Sequence, residues 1–169
     1  CIPMKKKILI VTERRADYSK FKPILDEIKK SKSLSYVLIV TGSHLLKKHG
    51  YTINEIKKDG FKISDQFSMY GSNSLNNGAE MVKSFGKSVI KITSLVEKYN
   101  PDIILSGFDI GANLAAAIVG AHMNKVVAHI EGGEVSGTID ESIRHAISKF
   151  AHLHFTTNLI ASKRLVKMG

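Results

Sequence analysis

The chain has 169 residues, of which 43% are hydrophobic and 24% are charged. This composition is typical of one globular domain and excludes a wholly disordered, collagen-like or coiled-coil protein. The single cysteine, Cys1, excludes an internal disulfide framework and a cysteine-rich zinc module. The net charge is +10, but the lysines form scattered pairs without interleaved aromatic residues. This pattern argues against nucleic-acid binding and favours attraction of a small anionic ligand.

The sequence predicts neither a membrane-spanning segment nor a signal peptide. The longest uncharged stretch, 110–124, is shorter than the ~20 residues that a span needs. The apolar run after the basic start is too short for the core of a signal peptide. These features favour a cytoplasmic protein that makes no membrane contact. Met4 is expected to be the native first residue, with residues 1–3 foreign to the natural protein.

Short apolar runs alternate with segments of helical periodicity along the chain. The runs predict strands over residues 7–11, 36–40, 61–63, 103–105, 126–130 and 154–156. The periodic segments predict helices over 19–30, from 52 onward, from a polar loop at 73–78 to Asn100, and over 114–123, 139–150 and 160–168. Pro23 suits the first turn of its helix, and residues 52–55 have capping-box spacing. The alternation predicts an α/β fold with a doubly wound, Rossmann-like parallel sheet.

Polar loops follow the predicted strands at residues 12–17, 42–44, 106–109 and 131–137. Because ligands of such sheets bind beyond the carboxyl ends of the strands, these loops predict one site. No G-x-G-x-x-G follows the first strand, which argues against a dinucleotide enzyme. Structural interpretations stay open: Asp109 could cap a helix, His44 could line a helix start, and Arg14 and Arg15 could be solvated loop charges.

The segment 127–144 concentrates titratable side chains around a glycine-rich loop. His129 and Glu131 are two positions apart at the end of a predicted strand. Because successive side chains of a strand point to opposite faces, these two lie on the same side. Carboxylates in a cleft can act as general acid or base when burial raises their pKa. A metal site built from the histidines of this region would match no standard helix-borne zinc motif, so we expect no metal.

At residues 129–146, HIEGGEVSGTIDESIRHA, the chain resembles the hydrolysing UDP-N-acetylglucosamine 2-epimerases of sialic-acid synthesis. Residues 15–20 and 42–44 are similar to the same family in the same order, and the resemblance covers essentially the whole chain. It implies the N-terminal half of a glycosyltransferase-B-type fold. Residues 1–169 would form a single Rossmann-like domain, a C-terminal nucleotide-binding domain would follow, and the active site would lie between the two.

The resemblance also implies a reaction. UDP leaves by elimination across C1 and C2 of the sugar, and water then adds to the glycal intermediate and releases N-acetylmannosamine. Neither a metal nor a nicotinamide cofactor takes part. The full-length enzyme is expected to be a homo-oligomer, and the isolated domain is expected to be weak or inactive.

Carried over position by position, the resemblance implies a role for eight residues. Arg15 and Ser19 would lie near the nucleotide phosphates, and His44 would be a sugar-side catalytic histidine. The acidic residues of proton transfer would be Asp109, Glu131 and Asp140. The pocket would be lined by His129 and Arg144. Elimination needs a base at C2 and neutralisation of charge on the leaving diphosphate, which these residue types can supply.

One segment departs from the family. The family usually has Gly-Asp-Arg after the fourth strand and an acid two positions on, whereas here Ile110 and Ala112 stand at the places of the arginine and the later acid. Isoleucine cannot replace the paired hydrogen bonds of a guanidinium group. Two alternatives therefore stay open: a glycosyltransferase-B-type transferase, and a sugar-nucleotide-binding module without epimerase chemistry.

Overall fold

A computed structural model describes residues 4–71 and 77–169. Within them, strands and helices alternate in the order β1 (Lys6–Thr12), α1 (Arg15–Lys30), β2 (Leu34–Val40), α2 (Ile53–Lys58), β3 (Asp65–Gln66), α3 (Gly78–Tyr99), β4 (Ile103–Gly107), α4 (Gly111–His122), β5 (Val126–Ile130), α5 (Ile139–Phe150), β6 (Leu153–Phe155) and α6 (Leu159–Met168). The strands are parallel and lie in the order β3-β2-β1-β4-β5-β6. This confirms the predicted doubly wound fold.

The central strand β1 is apolar on both sides because both faces of the sheet are covered there. Ile8 and Ile10 pack with α1 and α2 on one face. Leu9 and Val11 pack with α3 and α4 on the other. The polar residues that follow β1 are thereby fixed by a rigid strand at the carboxyl edge of the sheet, beside those that follow β4.

The predicted start of α1 at residue 19 is wrong, because the helix begins at Arg15. The carboxylate of Asp17 accepts hydrogen bonds from the backbone N–H groups of Glu13 and Arg14, which stabilises an earlier first turn. Pro23 consequently lies inside the helix. The helix tolerates it there with one backbone hydrogen bond fewer.

The predicted third strand at residues 61–63 is also wrong. Phe61 instead turns into the core, where its ring meets the edges of Tyr18 and Tyr36. Pairing with β2 starts only after Ser64, whose N–H donates to the carbonyl of Leu38, and β3 is only two residues long.

Two local predictions at helix starts have different outcomes. The capping box at 52–55 does not form, because Thr52 uses its hydroxyl to bond the ring of His44. The polar loop predicted at 73–78 lies mainly outside the described residues. Its described end, Asn77, caps α3 by accepting a hydrogen bond from the backbone N–H of Glu80 at 2.9 Å.

One sheet face is only partly covered. On the side of α1 and α2, the outer strands β4, β5 and β6 border an apolar groove of about 720 Å³, which we call the open groove. Its floor includes Leu105, Ile130, Leu153 and Phe155, and Phe155 is 57% exposed. None of the helices in the described parts of the chain is both long and apolar enough to cross a membrane.

Candidate active site

A cleft of about 780 Å³ opens at the carboxyl edge of the sheet. Its charged side includes Glu13 and Arg14 after β1, Asp109 after β4, and Asp140 at the start of α5. Its apolar wall comes from the starts of α3, α4 and α5 and consists of Met81, Val82, Phe85, Ile110, Leu114, Ile139 and Ile143. A few converging polar groups beside an apolar wall are typical of a small-molecule site.

Asp109 lies between two guanidinium groups. Arg144 Nη2 is 2.6 Å from Asp109 Oδ2, and Arg14 Nη2 is 3.5 Å from Asp109 Oδ1. Arg144 is 9% exposed, and its Nε–H finds no hydrogen-bond partner among the described residues. This N–H is enclosed behind Asp109 and does not belong to the lining of the cleft.

Glu131 occupies a different place at the same edge. It follows β5 with a left-handed backbone (φ 62°), and its Oε2 lies 2.8 Å from Lys20 Nζ. Lys20 also stands 4.6 Å from the ring centre of Phe108. Glu131 is not among the residues that line the cleft, so the Glu131–Lys20 ion pair is a second charged position at this edge.

His44 lies beneath the rim and is fully buried. Its Nε2 is 2.9 Å from Thr12 Oγ1 and its Nδ1 is 2.7 Å from Thr52 Oγ1. Burial lowers the pKa of His44 to about 4, so the ring is neutral at physiological pH. In this structure the ring ties the loop after β2 to the end of β1 and to α2.

His129 is likewise fully buried. Its Nε2 donates to the carbonyl of Phe108 at 3.3 Å, and its Nδ1 lies 3.0 Å from Ser148 Oγ. Burial lowers the pKa of His129 to about 4. The ring therefore holds the backbone next to Asp109 and connects β5, the loop after β4 and α5.

The remaining predicted site residues are exposed. Arg15 pairs with Glu55 at 3.3 Å with its side chain 74% exposed, and Ser19 donates to the carbonyl of Ala16. Asp140 lines the cleft near the capped start of α5. The structure thus brings Asp109 and Asp140 together in the lining of the cleft, and Arg144 reaches it only through Asp109. The two histidines are fully buried, and Arg15, Ser19 and Glu131 lie outside the lining.

Sequence reasoning missed two residues of the cleft. Glu13 is 5% exposed, accepts a hydrogen bond from the hydroxyl of Tyr70, and accepts a second from the backbone N–H of Ala112 at 3.1 Å. Burial raises the pKa of Glu13. The position of Glu13 directly after a buried strand could have predicted it as a site residue. Nothing in the sequence predicts its contact with Tyr70.

The departure at Ile110 and Ala112 has a clear local structure. Ile110 is the N-cap of α4 and belongs to the apolar wall, and Ala112 gives its N–H to Glu13. The guanidinium groups at Asp109 come from Arg14 and Arg144. Within residues 4–71 and 77–169, no three His, Cys, Asp or Glu side chains gather as a metal site would require.

A parallel sheet with charged side chains gathered beyond its carboxyl edge defines a ligand-binding α/β domain of the doubly wound class. Residues 26–169 match the protein family described as UDP-N-acetylglucosamine 2-epimerase. The chain belongs to this family, as its resemblance to the family predicted.

Two curated relatives show how close the match is. The chain is 40% identical over 166 residues to the UDP-N,N'-diacetylbacillosamine 2-epimerase (hydrolyzing) of Legionella pneumophila, covering 98% of this chain and 44% of the relative. It is 41% identical over 164 residues to the UDP-N-acetylglucosamine 2-epimerase of Neisseria meningitidis, covering 97% and 42%. The chain therefore spans less than half the length of the curated relatives it matches, and it corresponds to their N-terminal domain.

Solved structures agree on the fold. The Neisseria meningitidis UDP-GlcNAc 2-epimerase bound to UDP-GlcNAc superposes with a TM-score of 0.83 at 19% identity, covering 95% of this chain and 42% of that one. The Methanocaldococcus jannaschii enzyme in complex with UDP-GlcNAc and UDP gives 0.78 at 22% identity, covering 97% and 43%.

Proposed function

We propose that this chain forms the N-terminal half of a cytoplasmic, hydrolysing sugar-nucleotide 2-epimerase. The carrying observation is the carboxylate of Asp109 held by Arg144 and Arg14 at the cleft, in a member of the 2-epimerase family. The relatives from Legionella and Campylobacter whose names include "hydrolyzing" support the hydrolysing type.

The proposed reaction has two stages. A base removes the proton from C2 of the sugar while the bond from C1 to the UDP oxygen breaks, which leaves a C1–C2 double bond. Water then adds its oxygen to C1, and a proton returns to C2 on the opposite face. Asp109, Glu131 and Asp140 are the proposed carboxylates of these proton transfers, a task that typically contributes ~10²–10⁴-fold to the rate.

The other predicted residues receive binding and positioning roles in this proposal. Arg144 would order the pocket by holding the carboxylate of Asp109, and Arg15 and Ser19 would approach the diphosphate. His44 and His129 are enclosed and neutral, so they would act by holding the loops that carry the reacting groups.

We further propose that a C-terminal nucleotide-binding domain completes the cleft and that the full-length protein forms homo-oligomers. The relatives are more than twice as long as this chain. The open groove supports additional chain packing on this domain, because exposed Leu153 and Phe155 continue an otherwise buried apolar face.

Two sugars are candidates for the substrate. UDP-N-acetylglucosamine is the sugar nucleotide named in the description of the matched family, which supports it as a substrate. A UDP-linked sugar with two N-acetyl groups, as named for the Legionella relative, is favoured by the apolar wall, where Ile110 and Leu114 could cover an additional acetyl methyl group. Burial of one such group is worth roughly 0.8 kcal/mol, about a fourfold preference.

The test is a coupled assay of UDP release from both sugar nucleotides. It compares this 169-residue chain with the protein extended through its second domain. We expect UDP and free sugar from the extended protein and little turnover from the short chain. Binding without UDP release would favour the binding-module alternative, and equal rates for both proteins would contradict a shared active site.

A further inference from the structure

Glu13 is an unusual residue for the floor of a cleft, because its carboxylate is almost fully buried. It is 5% exposed and makes no ion pair in the described parts of the chain. Two donors satisfy it instead: the Ala112 N–H at 3.1 Å to Oε2, and the Tyr70 hydroxyl to Oε1. The backbone allows no side chain at Gly42 (φ +64°), where a Cβ would collide with Glu13.

One of the two contacts has a structural explanation. Ala112 lies in the first turn of α4, whose N-cap residue Ile110 offers no side-chain acceptor. The Glu13 carboxylate therefore accepts a hydrogen bond from the Ala112 N–H. It also places an acceptor at the positive end of the dipole of α4. This explanation does not cover Oε1, which is directed to a tyrosine at the surface of the cleft.

Tyr70 is half-buried and lines the same cleft as Glu13. The Tyr70 hydroxyl donates to Glu13 Oε1, so its proton points towards Glu13 and away from the cleft. The phenolic oxygen then keeps its lone pairs for another partner. A tyrosine oriented in this way acts as a hydrogen-bond acceptor at the cleft.

We propose that Glu13 is a positioning residue that acts through Tyr70 to make the cleft select a hydrogen-bond donor on the substrate's sugar. The donor would be a hydroxyl or an acetamido N–H of a nucleotide-linked sugar, which rests on the proposed function for the class of substrate. Once a bound ligand covers it, a half-buried acceptor of this kind discriminates against ligands that leave it unpaired.

The experiment measures dissociation constants by calorimetry for UDP-N-acetylglucosamine and for UDP alone, with Asp109→Asn present in every titrated protein to slow cleavage of the sugar nucleotide. It uses the full-length protein at about pH 8. Variants are Tyr70→Phe, Glu13→Gln and the double variant. Tyr36→Phe is the control, since its hydroxyl accepts the Lys62 N–H away from the cleft. Binding is independent of turnover, so a parent that binds but releases no UDP contradicts only the proposed function.

Tyr70→Phe should weaken binding of the sugar nucleotide about fivefold, as expected for one lost hydrogen bond, and should leave binding of UDP unchanged. The control Tyr36→Phe should bind both ligands as the parent does. In Glu13→Gln, the amide oxygen can keep the Ala112 N–H, so the amide N–H faces Tyr70. The phenolic proton must then point towards the cleft, where it faces the hydrogen-bond donor of the substrate. Two donors cannot form a hydrogen bond with each other. We expect about tenfold weaker binding of the sugar nucleotide.

The double variant separates positioning from a structural role. Glu13→Gln should add nothing in the Tyr70→Phe background, because the hydroxyl through which it acts is gone. If Glu13→Gln still lowers the affinity for the sugar nucleotide in that background, or lowers the affinity for UDP equally, the proposal is overturned. Unchanged binding of the sugar nucleotide by Tyr70→Phe would also overturn it. Tyr70→Phe keeps the aromatic ring, so it tests the proposal even if Glu13→Gln unfolds the protein. A parent that binds neither ligand would overturn both proposals.

Discussion

The polar residues of this domain form two layers that differ in how they are partnered. The lower layer, formed by Glu13, His44 and His129, is buried and hydrogen-bonded to several elements of the fold. The upper layer, at the edge of the sheet, includes Arg15 and Asp140, whose side chains are largely open to solvent.

This difference separates two kinds of contribution. A buried polar group whose partner is removed costs roughly 1–3 kcal/mol of stability. An exposed ion pair contributes less than about 1 kcal/mol. The lower layer should therefore act on folding and on the position of the groups above it, such as Tyr70, whereas the upper layer should act on binding and turnover directly.

The largest effect is expected from Asp109→Asn in the full-length protein. The change keeps the shape of the side chain but removes a proposed proton-transfer carboxylate, so kcat should fall by ~10²–10⁴-fold. Stopped assays of UDP release provide the measurement. Asp102→Asn, which lies at the opposite end of β4 and pairs with Lys6, should keep parental activity; a similar loss in both variants would argue against a specific role.

Asp140→Asn and Glu131→Gln should also reduce kcat by ~10²-fold or more. Asp140→Asn should leave the melting temperature unchanged, since its carboxylate makes no hydrogen bond within residues 4–71 and 77–169. A variant that melts several degrees earlier, with turnover within a few-fold of the parent, would assign the residue to the lower layer.

The lower layer predicts a pH dependence of stability. Burial places the pKa of His129 at about 4 in the folded state, below its ordinary value of about 6.5. The unfolded chain then binds more protons between these values, so the free energy of unfolding falls as pH falls from about 6.5 to about 4. Glu13 and Asp17, whose pKa values burial raises, act in the opposite direction.

A comparison of variants isolates the histidine. Between pH 7 and pH 4, the parent should lose about 2 kcal/mol more than His129→Gln, as judged by urea unfolding at each pH. The exposed His122 provides the matched control His122→Gln. Parallel pH curves for the parent and His129→Gln would contradict this account of the buried ring.

The smallest stability effect is expected from Arg15→Ala. Its exposed ion pair with Glu55 should contribute less than about 0.5 kcal/mol, while the proposed diphosphate contact should raise KM several-fold. Lys6→Ala removes another exposed cation, paired with Asp102, and should leave KM unchanged. An equal rise in KM for both variants would indicate a general effect of net charge.

The predictability of each element from sequence follows the same physical division. β1 could be predicted because both its faces are buried and residues 8–11 form a continuous apolar run. β3 could not, because two residues with polar side chains at the sheet edge carry no periodic signal. The start of α1 could not be predicted from the spacing of apolar residues. It is stabilised by hydrogen bonds from backbone N–H groups to the carboxylate of Asp17.

The site divides in a similar way. Asp109 and Asp140 lie near the ends of predicted elements, so the topology alone brings them to one edge. The contact between Glu13 and Tyr70 joins positions 57 residues apart, and the burial of His44 depends on Thr12 and Thr52 from separate elements. Such pairings arise from tertiary packing and have no local signature.

The central claim is that the full-length protein cleaves its sugar nucleotide by elimination followed by hydration. Proton NMR of the reaction in D₂O tests it most directly, with UDP-N-acetylglucosamine as substrate. The account predicts UDP together with free N-acetylmannosamine that carries deuterium at C2, because the proton returned to that carbon comes from solvent. A product that is still linked to UDP, or a free sugar that keeps the original proton at C2, would contradict it.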